Sequence, residues 1–198
     1  MSEYQIIRFC APTLAGLKTA SLFCCDAPDE AELLGQLRHW NTSLAPKGLQ
    51  MLPLRIWNGR ALIYLYRPKA LARDLACEDA ACLLNGSGYD GTEPSGCLRC
   101  LMDRLQCQKD GFPHEIGLFL SYPPEDVKGF IEHHAADFKY AGLWKVYGDE
   151  QRARDLFAIY QRCTEIYCQR LHAGSSIAQL AVNVQQRNTA QNERMLPS

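Results

Sequence analysis

Cysteine dominates the chemistry that this sequence could perform. Ten cysteines stand at positions 10, 24, 25, 77, 82, 97, 100, 107, 163 and 168 of a 198-residue chain. Two of them form Cys97-Leu-Arg-Cys100, with Arg104 one helical turn further on. If Ser95 is the N-cap of a helix running from about Gly96 to Lys109, Cys97 lies in its first turn. Amide N–H groups and the helix dipole favour a thiolate there. At about 100° per residue, Cys97, Cys100, Arg104 and Cys107 share one face, opposite a Leu98, Leu101, Met102 and Leu105 stripe. This pattern would make Cys97 a reactive thiol, Cys100 its resolving partner and Arg104 their electrostatic support. Adding Cys77 and Cys82 gives Cys-x4-Cys-x14-Cys-x2-Cys, near the spacing of four-cysteine zinc sites and suited to an iron–sulfur centre. Cys77 and Cys82 diverge by about 140° on a helix, so such a site needs an irregular backbone. The plainer alternative treats the thiols as small core hydrophobes, a role that explains Cys163 on its apolar stripe.

Acid–base chemistry points to His114-Glu115, between Pro113 and an apolar run expected to be a strand, His114 to Leu120. Adjacent strand residues face opposite sides, so the two need not cooperate. The carboxyl end of that strand, Tyr122-Pro-Pro-Glu-Asp126, is the better place for a ligand on an α/β sheet. Glu125 and Asp126 there complement a helix dipole and would repel phosphate. A third candidate is a hairpin face carrying Arg55, Trp57, Arg60, Tyr64 and Tyr66, with Trp57 and Arg60 opposed as a cation–π pair. Aromatic and basic residues interleaved on a sheet can stack single-stranded RNA, but they serve a covering helix or a protein partner equally well. No phosphate-binding glycine loop, H-E-x-x-H or G-x-S-x-G occurs, which removes the commonest nucleotide, metalloprotease and hydrolase readings.

These residues need elements to position them. Thr19 to Cys25 reads as a strand, and Asp29 to about Leu44 as a helix with Pro28 at its start. Leu52–Trp57 and Arg60–Tyr66 flank Asn58-Gly59, a type I′ hairpin turn pairing Trp57 with Arg60, Leu54 with Ile63 and Leu52 with Leu65. Pro68 to about Leu84 is helical, and residues 85–94 form a turn-rich loop. After the Cys97 helix and the 114–120 strand come a helix from Pro123 to about His134 and a strand from Lys139 to Tyr147. The longest helix runs from Asp149 to about His172, and Ser176 to Val182 is a short apolar segment. The order predicts an α+β fold: a single mixed sheet of about five strands with packed helices, ferredoxin-like β-α-β-β-α-β followed by an α-β-α extension. Residues 1–182 read as one domain and 183–198 as a disordered tail.

Composition sets the outer limits. The chain is 47% apolar and 22% charged with a net charge of −1, an ordinary globular balance that argues against a nucleic-acid coat or polybasic membrane anchor. No stretch reaches the roughly 20 apolar residues of a membrane span. The N-terminus lacks the signature of a secretory signal, so we expect a cytoplasmic protein with reduced thiols.

Four stretches carry a family resemblance. Ala11 to Lys18, Arg60 to Arg67, Phe112 to Ile131 and Leu143 to Asp149 resemble a bacterial family known as domain of unknown function 3793, over about Cys10 to Val182. The resemblance implies a stand-alone cytoplasmic domain and carries no catalytic residues across. Ser121 departs from the glycine expected in the family's 112–131 block. Three functional classes follow from the residues. A thiol-redox or metal-linked accessory protein ranks first. Next is a small-molecule enzyme or binding protein acting at residues 114–126, which requires a pocket there with His114 in reach. Last is a protein-interaction module, which requires an exposed hairpin face.

Overall fold

Asn58-Gly59 turns the chain with both residues at positive φ, 45° and 72°, the conformation that a type I′ turn demands. In the computed structural model, which describes residues 1–107 and 111–184, this turn joins β2 (Gln50–Trp57) to β3 (Arg60–Tyr66). A bulge at Leu54 shifts the register, so that Pro53 opposes Ile63 and Leu52 opposes Tyr64. The expected Leu54–Ile63 and Leu52–Leu65 pairs are thereby corrected by one residue. The extra residue re-aims Leu54, which is fully buried.

Strand β1 (Ala20–Asp26) pairs antiparallel with β3 on its other edge, giving the sheet order β1-β3-β2. Every residue of β3 after Arg60 is buried, and alternation divides them between two cores. Ala61, Ile63 and Leu65 meet α1 (Glu3–Leu14), α2 (Glu30–Leu44) and the four-residue α9 (Ile177–Leu180). Leu62, Tyr64 and Tyr66 meet residues of α3 (Pro68–Leu75), α4 (Glu78–Gly86), α5 (Pro94–Cys107) and α6 (Ile116–Phe119). Helices therefore cover both faces of a three-stranded sheet.

Two expected strands are absent from that sheet. Residues 114–115 turn into the short helix α6 and residue 120 turns out of it, with Leu118 N–H donating to Glu115 O at 2.9 Å and Leu120 N–H to Ile116 O at 3.2 Å. A short apolar run buried on all sides has no periodicity to separate helix from strand. Residues 139–147 fold on themselves as a small hairpin, β4 (Tyr140–Ala141) with β5 (Lys145–Val146), around Gly142-Leu143-Trp144. The fold is α+β as expected, while the five-stranded ferredoxin-like order is corrected to separate sheets of three and two strands among the described residues.

The remaining helices are α7 (Pro124–Glu132) and the long α8 (Glu150–His172), capped by Asp149. The stretch from Pro68 to Leu84 breaks at Ala76-Cys77 into α3 and α4. A third apolar cluster, Trp144, Val146, Ala153, Phe157 and Tyr160, fixes the β4–β5 hairpin to α8. No helix among the described residues is long and apolar enough to cross a membrane. The expected tail lies, from residue 185 onward, outside the described residues, as do the last residues of the expected 96–109 helix.

Candidate ligand site

The cysteine motif is arranged differently from its sequence reading. Helix α5 begins at Pro94, and the Glu93 carboxylate accepts from the amides of Ser95 (3.1 Å) and Gly96 (2.7 Å). The anionic position at this helix end is filled by the chain's own carboxylate. Cys97 lies at i, i+4 and i+8 with Leu101 and Leu105 and is buried with them. Its thiol donates to Gly91 O at 3.4 Å. Burial first, then the nearby Glu93 and Cys100, pushes the Cys97 thiol up from its ordinary value. Cys97 is therefore corrected from reactive thiol to core thiol. Cys77 and Cys82 are exposed and Cys97 is buried, and no group of three His, Cys, Asp or Glu residues among the described residues could hold a metal ion. The four-cysteine zinc or iron–sulfur reading fails because these side chains do not converge.

The hairpin-face reading is corrected as well. Tyr64 is fully buried and donates its hydroxyl to Phe119 O at 2.6 Å, while Tyr66 donates to Gln50 Oε1 at 2.7 Å. Helices α5 and α6 cover this end of the face, leaving Arg55, Trp57 and Arg60 at its rim. Arg55 stacks over Trp57 at 5.1 Å, taking the cation–π place expected for Arg60.

Residues 112–115 form a ridge between two concavities. On one side, a cavity of about 470 Å³ is lined by Cys100, Asp103, Arg104, Cys107, His114 and Glu115, among others. Glu115 turns inward from the ridge and is 5% exposed. It accepts from Tyr89 Oη at 2.9 Å and Arg104 Nη1 at 3.1 Å. Burial and the adjoining Glu115 carboxylate raise the Tyr89 hydroxyl. Arg104 also lies 4.8 Å from the Tyr89 ring and donates to Ser87 O. This buried carboxylate locks the ridge to α5 and positions Tyr89 and Arg104.

On the other side, a cleft of about 620 Å³ runs between the ridge, α6, α7 and the β4–β5 hairpin. His114 and Phe112 line both spaces, and Tyr122, Phe130, Leu143, Trp144 and Lys145 complete the cleft walls. His114 meets Phe130 edge-on at 4.9 Å, and Tyr122 stacks on Trp144 at 4.6 Å. Gly117 brings α6 against α7 here, because a Cβ on it would come within 2.7 Å of Val127 Cγ2. Phe112 and Leu143 leave about half their surface in solvent at the cleft mouth, 52% and 48%.

Asp126 is the carboxylate of this wall, and it is satisfied internally. It accepts from Trp144 Nε1 at 2.7 Å, from Tyr147 N at 2.7 Å and from Gly148 N at 2.8 Å. It therefore orients Trp144 and anchors the hairpin on α7. The cation of the cleft is Lys145. Its ammonium sits 5.8 Å from the Phe130 ring and 4.7 Å from the Phe138 ring and donates to Ala135 O. Sequence reading missed Lys145, Phe130 and Trp144, though an aromatic-rich stretch beside a lysine was visible at 138–145.

Behind Tyr122 and Trp144 lies a third concavity of about 320 Å³, lined by Asp74, Glu125, Asp149 and Arg152 among others. Thr19 donates to Asp74 Oδ2 at 2.6 Å beside it. Ser121, on the same wall, adopts φ +56°, with its hydroxyl donating to Leu120 O at 2.7 Å. This is the left-handed conformation for which glycine is the default residue.

Fold and site together describe an α+β protein with an aromatic-walled cleft set beside its sheet. The chain belongs to the family described as Protein of unknown function (DUF3793), whose sequence profile matches residues 6–181. No curated protein and no solved structure matches it.

Proposed function

We propose that this protein binds a small ring-bearing anion in the cleft between residues 112–117, α7 and the β4–β5 hairpin. One observation carries the reading: a single cleft has His114 in its walls together with Tyr122 and Asp126, the two ends of the 122–126 segment. A pocket at that segment with His114 in reach is what a small-molecule site there requires. Aromatic walls suit a flat apolar body, since offset and edge-on ring contacts add to area burial. Burying about 200 Å² of ligand contributes roughly 5 kcal/mol. Even before the cost of immobilising the ligand, that corresponds to no better than sub-millimolar affinity, roughly 0.2 mM, so a charged contact must supply the rest. The sign of the ligand's charge follows from the polar groups. Asp126 is consumed by three donors, whereas the Lys145 ammonium gives one hydrogen bond to Ala135 O and can give more.

The test uses 8-anilinonaphthalene-1-sulfonate, a fused-ring anion whose emission rises in apolar surroundings. Wild-type protein is expected to bind it saturably at one site. Ala141 is exposed on the cleft wall, so Ala141→Glu should leave the fold intact and weaken binding about tenfold or more. Unchanged affinity in that variant would remove the cleft as the site.

A further inference from the structure

We infer that a second cavity, at the start of α3, binds the phosphate group of a small molecule, independently of the aromatic cleft. Its volume is about 360 Å³, and Lys47, Arg67, Lys69 and Arg73 all line it. Among the described residues no carboxylate does. Lys47, Lys69 and Arg73 also form no ion pair among those residues. On a chain with a net charge of −1, four cations around one space without a counter-charge make a strongly positive concavity. The carboxylate nearest along α3 is Asp74. It accepts from Thr19 Oγ1 at 2.6 Å and lines the separate 320 Å³ concavity.

Two groups in the wall add directed donors to this charge. Arg67 is 6% exposed, and its guanidinium carries one N–H on Nε and two on each Nη. Nε donates to Thr13 O, Nη2 to Leu14 O and Val182 O, and Nη1 to Lys47 O alone. One Nη1 N–H is left over, on a buried side chain that lines the cavity. The backbone supplies the second donor. Pro68 fills the first helical position, Ala70 and Leu71 both donate to Arg67 O, and no side chain caps the helix. The Lys69 amide is thereby without a partner among the described residues. A helix start favours an anion, and no acidic side chain occupies the first turn of α3. Lys69 and Arg73, four residues apart, share one face of the helix, while Lys47 comes from the turn after α2. A phosphate group carries nearly two charges and three acceptor oxygens, which suits this set of donors better than a singly charged carboxylate. The volume leaves space for a small organic body beside it.

The test titrates the full-length protein with glycerol 3-phosphate and, separately, with inorganic phosphate, following amide chemical shifts at an ionic strength held constant with sodium chloride. Glycerol 3-phosphate has no ring, which separates this experiment from the aromatic cleft. Saturable shifts are expected at residues 47–48 and 69–73 with both probes. Lys69 and Arg73 are exposed, so Lys69→Gln combined with Arg73→Gln should keep the fold and weaken binding about tenfold or more. Ala141→Glu, in the other cleft, should leave it unchanged. The absence of saturable shifts would overturn the inference, as would equal shifts at the exposed Lys128 and Lys139 or full affinity in the double variant. Saturation by inorganic phosphate but not by glycerol 3-phosphate would restrict the cavity to the free ion and overturn it as well.

Discussion

Arg67 is 6% exposed and donates to four backbone carbonyls: Thr13 O and Leu14 O at 2.9 Å, Val182 O at 2.9 Å and Lys47 O at 3.2 Å. These belong to the end of α1, the short turn after α2 and the segment after α9, places where carbonyls lack helical partners. Arg67→Met leaves all four carbonyls without this donor, and we expect a loss of about 3 kcal/mol or more in urea denaturation. A loss below about 1 kcal/mol would show that the guanidinium is dispensable. Lys18 makes the opposite case. Largely enclosed, with its ammonium 5.1 Å from the Tyr122 ring, it is pulled by burial down to about 8. The unfolded chain therefore binds the extra proton between about pH 8 and 10.5, so the charging cost is full below pH 8 and fades as pH rises. Lys18→Met should accordingly be more stable than wild type at pH 7, with the advantage shrinking by pH 10. A constant difference across that range would refute burial as the cause. The buried thiols run the other way. Cys10, Cys25, Cys97 and Cys163 are all raised by burial, Cys163 to about 11, so wild-type stability falls as pH climbs past about 9. At this scale, the sequence displayed which side chains carry chemistry but not their exposure. Cys97 and Cys100 differ by one turn of phase, and only packing shows that the first faces the core.

Elements with long-range periodicity or strong local signals were legible in the sequence. The 50–66 hairpin followed from Asn58-Gly59, and α2 and α8 from their apolar stripes and aspartate caps. Helix α1 had a usable signal too: the Ser2 cap and Ile6, Ile7, Cys10, Ala11 and Leu14 at helical spacing. Pro12 within its last turn disguises it. What could not be read were the short, fully enclosed pieces. Helix α6 has four residues, all buried, and β4–β5 is a pair of two-residue strands held by side chains far along the chain. Gly129 leaves room for that packing, since an added Cβ there would overlap the Tyr147 ring. Gly129→Ala should push the hairpin off α7 and cost about 1–3 kcal/mol. Gly35 has open space around it, so Gly35→Ala in the interior of α2 should be neutral or stabilising by up to about 1 kcal/mol. Thermal unfolding of the two variants side by side distinguishes close packing at Gly129 from a general intolerance of alanine. Equal midpoints would contradict it.

Across the whole molecule, a small sheet serves as the partition between two cores, and the cleft lies outside it. Its walls come from residues 112–117, from α7 and from 141–145, segments that sequence order leaves apart and only tertiary packing brings together. For that reason His114, Tyr122 and Asp126 were visible as candidates while their common cleft was not. The same packing separates what the sequence joined, since His114 faces the cleft mouth and Glu115 the interior. If the cleft is the binding site, amide chemical-shift mapping of 8-anilinonaphthalene-1-sulfonate on the full chain tests it most directly. Saturable shifts should concentrate at residues 112–117, 127–130 and 141–145. Shifts gathered instead on the exposed Ile159 and Ile166 face of α8, or no saturable shifts at all, would contradict a ligand site between the ridge and the β4–β5 hairpin.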